Sequence, residues 1–191
     1  MRGDINGDNK VSIADAVLLS RLASEDDSVS VDADTLLDLN SDGVLNIQDV
    51  IQVLHGCRST SLTLSNIAGT AGDTISIPVQ IYNDRGTAGG QLKVAYDPML
   101  TPKTIRGGSL KEIALDTDVN GYPVYVAWIT LDGRNQTAAD GAVIAYLDFE
   151  ISEYAGYGSA LNVNVTEAEL SDENGIITEP AVKNAYVFVT E

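Results

Sequence analysis

Asp4-Ile5-Asn6-Gly7-Asp8-Asn9-Lys10-Val11-Ser12-Ile13-Ala14-Asp15 returns 34 residues later as Asp38-Leu39-Asn40-Ser41-Asp42-Gly43-Val44-Leu45-Asn46-Ile47-Gln48-Asp49. In both copies, side-chain oxygens stand at positions 1, 3, 5, 9 and 12: Asp4, Asn6, Asp8, Ser12 and Asp15, then Asp38, Asn40, Asp42, Asn46 and Asp49. Position 7 contributes only its backbone carbonyl, so Lys10 and Val44 need no side-chain oxygen there. A tightly wound loop that turns alternate oxygens inward suits a hard divalent cation, and calcium takes 6–8 such ligands. Two loops in register predict two calcium ions.

The spacing is that of an EF-hand loop, with two departures. Position 12 is Asp in both copies where Glu is usual, and it is expected to bind bidentately. Position 6 is Asn9 in the first loop where Gly is usual; Asn tolerates the left-handed backbone better than most residues. An apolar-periodic stretch follows each loop. The first predicts a helix over about Ile13 to Ala23 with Val17, Leu18 and Leu22 inward. The second predicts a helix over about Ile47 to Leu54 with Val50, Ile51 and Leu54 inward. Val11 and Leu45, at position 8, are placed to form a small backbone bridge. Between the repeats, residues 32–37 suggest a short helix burying Leu36 and Leu37. Such a unit has a small core, so metal is expected to supply much of its folding energy.

Moving outward, the grammar of the chain changes near Gly56-Cys57-Arg58-Ser59-Thr60-Ser61. We place a small all-α, duplicated EF-hand-like calcium module at 1–58 and an all-β antiparallel sandwich at 59–191. The second part is rich in Val, Ile, Thr, Tyr and Gly. It alternates through residues 62–64, 74–81, 91–96, 122–129, 142–151, 160–165 and 185–189. Many short alternating strands with Gly, Asn and Asp turns predict a sandwich. Within 91–96, Leu92, Val94 and Tyr96 point one way and Gln91, Lys93 and Ala95 the other.

The net charge of −17 argues against nucleic acid and anionic membrane surfaces, which need a basic face. Both parts share the acidity: 11 acids and 4 bases in 1–58, 17 and 7 in 59–191. The single cysteine, Cys57, leaves no internal disulfide framework. No apolar run approaches the roughly 20 residues of a membrane span. Met1-Arg2 enters the first loop without a leader-like stretch, so a longer natural chain is expected.

The duplicated D-x-N-x-D loop, with Ser or Asn at position 9, Asp at position 12 and no room for a helix before loop one, resembles a dockerin. The downstream part resembles a cohesin, the dockerin's receptor module. Its matching words are Ala71-Gly72-Asp73 before the strand ending at Ile81, Gly89-Gly90-Gln91-Leu92-Lys93-Val94-Ala95-Tyr96-Asp97-Pro98, and Gly141 to Phe149. The resemblance implies a jelly-roll-like cohesin sandwich. It implies dockerin recognition residues Ile13, Ala14, Ser20 and Arg21 in the first repeat and Ile47, Gln48, Leu54 and His55 in the second. The unequal pairs Ser20-Arg21 and Leu54-His55 leave symmetric two-way docking open. In a cohesin one sheet face grips the dockerin helices; carried over, that face holds Gln91, Lys93 and Ala95, with Asp116 and Asp118 nearby. Trp128 is expected in the core.

Catalytic chemistry finds little here. His55 and Cys57 lack a third orienting group, and two such ligands fall short of a four-ligand metal site. The expectation is a non-catalytic, extracellular bacterial adaptor of a cellulosome-type complex. Its expected partners are a cohesin-bearing scaffold and a dockerin-bearing enzyme or scaffold, with head-to-tail self-association open. The alternative is a calcium-binding, carbohydrate-binding β-sandwich protein, which would need a line of exposed aromatics. A calcium-regulated switch built on general EF-hands is a further rival.

Overall fold

A computed structural model describes residues 2–31 and 37–191. The chain divides into two compact units, Met1–Ser59 and Thr60–Glu191.

In the first unit each loop delivers its chain directly into a helix: α1 (Ile13–Ala23) and α2 (Ile47–Gly56). Ser12 and Asn46 are the N-caps, and Asp15 and Asp49 close capping boxes from the third helical position. Each cap satisfies N–H groups that the first helical turn leaves without partners. The core holds Ile5, Ala16, Leu19, Leu39, Val50 and Val53. This corrects the expected helix phases. Leu19 is buried and Val17 is 53% exposed; Val53 is buried and Leu54 is 39% exposed. Leu18, Leu22 and Ile51 are half-buried. The cause is the inward turn of Asp15 and Asp49, both with no exposed surface. Residues one and four places beyond them share their side of the helix, and Val17, two places on, points away. No backbone bridge joins Val11 to Leu45; both side chains instead pack against the core. The short helix expected over 32–37 lies outside the described residues except for Leu37, which packs partly buried.

The second unit is a two-sheet sandwich. Its strands are β1 (Ser61–Leu64), β2 (Ile67–Thr70), β3 (Thr74–Tyr82), β4 (Gly89–Tyr96), β5 (Leu100–Gly107) and β6 (Ile113–Asp118). They continue with β7 (Val124–Thr130), β8 (Ala142–Ile151), β9 (Ala160–Ser171), β10 (Ile177–Thr178), β11 (Ala181–Lys183) and β12 (Ala185–Thr190). One sheet has the order β11-β1-β3-β8-β5; the other runs β2-β12-β9-β4-β7-β6, with β10 pairing β9. Most pairings are antiparallel. The exceptions are parallel: β1 with β11 and β2 with β12. The chain crosses between sheets at Ser65-Asn66, where Ser65 hydrogen-bonds Gln80 and Asn66 accepts the Tyr186 N–H.

Alternation puts Ile75, Ile77, Val79 and Ile81 of β3 inside with Leu92, Val94, Val124, Val126, Trp128, Leu147 and Phe149. Strand β5 escapes sequence periodicity because it carries Pro102 and a bulge between Pro102 and Thr104. It is an edge strand, where proline and a charged neighbour such as Lys103 are tolerated.

On the outer face of the five-stranded sheet a polar clamp ties β3, β5 and β8 together. Arg106 Nε and Nη2 donate to the two Asp148 oxygens at 2.6 and 2.9 Å, and Ser76 Oγ donates to the same carboxylate at 2.6 Å. The guanidinium lies 5.0 Å over the Tyr146 ring. The Arg106 hydrogen bonds hold the Asp148 carboxyl below its usual 3.8, against burial, with Ser76 helping. Half of the Arg106 side chain is in water, so the ionic part is screened. Asp148→Ala is expected to cost about 2 kcal/mol, lowering the melting temperature of the sandwich by roughly 5–10 °C. Because the folded value is depressed, this stabilisation is present above 3.8 and disappears as pH falls through the folded value. Calorimetry should therefore show wild type and Asp148→Ala converging in acid. An unchanged difference at pH 2 would assign the clamp's effect to packing.

Candidate functional site

The two loops are wound by nearly the same hydrogen bonds, differing in one donor to the first-position aspartate. In the first, Asp4 accepts from the N–H groups of Gly7 and Asn9 at 2.8 and 3.0 Å, Asn6 Oδ1 from Asp8 N, and Asp8 Oδ1 from Lys10 N. In the second, Asp38 accepts from Asp42 N and Gly43 N, Asn40 Oδ1 from Asp42 N, and Asp42 Oδ1 from Val44 N. The tight winding needs left-handed backbone at positions 4 and 6. Gly7 and Asn9 have φ of 75° and 67°; Ser41 and Gly43 have 63° and 85°. Asn9 thus adopts the conformation for which its residue type is suited.

Asp15 binds the start of its own loop. Its Oδ1 accepts from Ile5 N and Asn6 N at 2.8 and 3.1 Å, and its Oδ2 from Ser12 N and Ser12 Oγ at 2.7 and 3.1 Å. Asp49 does the same with Leu39 N, Asn40 N and Asn46 N. Burial works to raise the Asp15 pKa, but the donors from Ser12, Asn6 and Ile5 outweigh it and hold it low. For Asp49 the Asn46 N–H is the largest influence, and the carboxyl is again lowered.

Both oxygens of the Asp15 carboxylate are thus engaged. Among the described residues no three His, Cys, Asp or Glu side chains stand together as one cluster. The carboxylates are spent on loop N–H groups, and Asp15 and Asp49 staple each loop to its helix. The donor chemistry fits calcium, since every candidate atom is a hard oxygen. Sequence reasoning missed the second role of position 2. Ile5 and Leu39 are buried core residues, so each loop is anchored apolarly between its ligand positions.

The helices present a second feature. Ile13 and Ile47 are 64% and 59% exposed, which excludes core packing for both. Ala14, Gln48, Arg21 and His55 are exposed and Ser20 is half-buried. Val17, expected inside, instead joins Ile13 one helical turn on, as half-buried Ile51 joins Ile47. Arg21 is tied to Asp26 at 2.8 Å and to Ser28. The Ser28 hydroxyl, donating to Asp26 at 2.6 Å, and then Arg21 hold the Asp26 carboxyl down at about 2.

In the sandwich, β9, β4, β7 and β6 lie side by side and expose one face. Pairing aligns Glu169, Gln91, Ala127 and Asp116 in one cross-strand row and Glu167, Lys93, Tyr125 and Asp118 in the next. Gln91, Lys93, Ala95, Asp116 and Asp118 thus share this outer face, while Leu92 and Val94 are buried beneath it. Lys93 pairs with Glu167 at 2.7 Å, Gln91 donates to Glu169 at 2.7 Å, and Tyr125 donates to Gln91 at 3.1 Å. Trp128 is in the core. Tyr125 and Ala127 are the alternate residues of the 122–129 stretch that reach this face; Glu167 and Glu169 lie beyond the expected end of their strand, past a register shift at Lys93/Val94.

The cohesin domain model matches residues 60–187, and the type I dockerin domain model matches residues 2–55. No curated protein matches the chain. Among solved structures, the sixth cohesin of Acetivibrio cellulolyticus scaffoldin B, in complex with a Cel5 dockerin, is 19% identical. The match covers 69% of this chain and 99% of that one, with a TM-score of 0.62. A non-cellulosomal cohesin from the archaeon Archaeoglobus fulgidus is 19% identical over 70% and 92% of the two chains, with a TM-score of 0.61. CaCohA2 from Clostridium acetobutylicum is 25% identical over 70% and 92%, with a TM-score of 0.55.

Proposed function

Because the chain belongs to the cohesin domain family and carries a type I dockerin domain ahead of its cohesin domain, we propose that it is a non-catalytic adaptor of a cellulosome-type assembly. A plug at 1–58 and a socket at 59–191 lie on one polypeptide. The observation that carries the reading is a pair of helices with Ile13, Val17 and Ile47 in solvent, in a chain whose second unit carries the outer face of the β9-β4-β7-β6 sheet. Solvent-exposed aliphatic side chains in series mark a surface that a partner covers.

Type I dockerin domains bind calcium. Here two ions would be held by Asp4, Asn6, Asp8, Ser12, Asp15 and the Lys10 carbonyl, and by Asp38, Asn40, Asp42, Asn46, Asp49 and the Val44 carbonyl. Calcium supplies charge neutralisation that lets the acidic loops stay wound. The chain's own residues then do the docking. Loop-to-helix staples orient α1 and α2; Ile13, Ala14, Ser20 and Arg21, or Ile47, Gln48, Leu54 and His55, meet a cohesin on a scaffold. Gln91, Lys93, Ala95, Asp116 and Asp118 receive a dockerin from an enzyme or another scaffold. Such modules work outside the cell, secreted or at its surface. The two parts carry −7 and −10, so net charge does not draw two copies together, and head-to-tail association would rest on the docking faces alone.

The test is light scattering of the chain with a type I cohesin and a type I dockerin, singly and together, in calcium. The expected masses are a monomer alone, a 1:1 complex with each and a ternary complex with both. Failure to bind either probe would sink the adaptor reading. One observation favours the carbohydrate alternative: Tyr186 and Phe188 stand exposed on β12 with ring centroids 6.3 Å apart. Retardation on a polysaccharide affinity gel, lost in Tyr186→Ala/Phe188→Ala, would support it.

A further inference from the structure

We infer that the docking face of the cohesin unit ends in an apolar notch that seats one aliphatic side chain of the partner dockerin, with Ile177 as its specificity-determining wall. This rests on the docking reading above and deepens it.

The notch is a cavity of about 280 Å³ lined by Gly90, Gln91, Ala127, Glu169, Gly175 and Ile177, among others. It is slightly smaller than the roughly 300–1,000 Å³ of small-molecule clefts, and its walls are mainly aliphatic carbon and backbone. Ligand clefts have convergent polar groups; here the flanking polar groups, Gln91 and Glu169, are bonded to each other at 2.7 Å. A single methyl-bearing side chain is the occupant such a space fits. Protein interfaces concentrate their affinity in pockets of this kind.

The wall is built and held. Strand β10 folds back along β9, pairing Ile177 with Ser171, and leaves Ile177 63% exposed. The turn before it is locked by Asp172, whose Oδ1 accepts from both Asn174 N and Ile176 N at 2.9 Å. The loop after β7 adds a second tie: Glu173 N donates to Asn135 Oδ1 at 2.8 Å, and Asn135 N to Glu173 at 3.2 Å. Gly90 alternates with buried Leu92 and Val94 and turns toward the core, so it gives the notch only backbone. A Cβ on Gly90 would meet Glu169 O and the Trp128 ring at 2.7 Å.

Three observations point to a dockerin helix as the source of the side chain. Gln91 and Ala127 belong both to the notch and to the cross-strand row of the docking face, so the two surfaces are continuous. Exposed Ile129 pairs with Gly89 in the next row and extends the apolar end. The flanks are acidic, with Glu169 at the rim and Asp116 at the end of the same row. The favoured partner is therefore a helix carrying an aliphatic anchor and a lysine or arginine beside it.

The test titrates a panel of calcium-loaded type I dockerins, the Cel5 dockerin among them, into the full chain and its variants by calorimetry. Ala127→Leu fills the notch from a half-exposed position and is expected to leave melting unchanged while weakening the best binder by at least about 30-fold. Ile177→Ser, which removes the wall, should weaken it about 10-fold. Lys103→Ala, on the other sheet, should change nothing, and wild-type affinity should fall as salt rises. Undiminished binding by Ala127→Leu would overturn the notch and leave the docking reading standing. Absence of binding by the wild type would overturn both. Salt-independent affinity would overturn the basic flank.

Discussion

Chelating calcium with EDTA is expected to abolish nearly all the helical circular dichroism of this chain while its β-sandwich stays folded. The first unit has six fully buried apolar residues among its described positions, against more than twenty in the sandwich. A core that small does not offset the entropy of ordering about 55 residues. Acidic residues compound the problem, because Asp4, Asp8 and Asp15, and again Asp38, Asp42 and Asp49, put three like charges on one short loop each. A divalent ion reverses the sign of that interaction, and its binding free energy becomes folding free energy. In calorimetry two transitions in calcium should become one in EDTA. Metal analysis should return two calcium ions, and Asp15→Asn or Asp49→Asn should halve that number. The depressed carboxyls of Asp15 and Asp49 act in the same direction. Their stabilisation is complete above 3.8 and is lost as pH falls below it, so acid should melt the helical unit too. An unchanged helix signal in EDTA would favour the rival in which the loops only trigger a switch in a folded pair.

Ile13→Asp combined with Ile47→Asp is expected to destroy cohesin binding by at least about 100-fold with no loss of helix. Both residues are mostly in solvent, so the substitutions cost the fold little. At a docked interface the same positions would be dry, and a carboxylate there lacks compensation. The single variants should be unequal. The α2 stripe reads Ile47, Ile51, Leu54, and the α1 stripe reads Ile13, Val17, Ser20, with Arg21 already engaged by Asp26. The more apolar stripe buries more area, so Ile47→Asp should weaken binding more than Ile13→Asp. Calorimetry against a type I cohesin in calcium measures the difference. Equal, small losses would show that neither helix leads with its isoleucine.

The loops were legible because their chemistry is local. Residue type at each of twelve positions dictates both the ligand and the turn, and the caps at Ser12 and Asn46 lie inside the same motif. The outward set Gln91, Lys93 and Ala95 was legible for the same reason: alternation along a strand is a backbone property. Strand β6, which carries Asp116 and Asp118, was not read as a strand, although those two acids lie on the same face as Gln91.

Local pattern alone determined that residues 13–23 and about 47–54 are helical and that the later segments extend. Tertiary structure decided which side of each element is inside. Val17 and Leu54 read as core until Asp15 and Asp49 turn inward and rotate Leu19 and Val53 into their place. The split of residues 61–70 between two sheets, the edge strand through Pro102 and the Ile177 wall depend on partners tens of residues away. Periodicity records that a chain has two faces; only contact with distant segments settles which face meets water.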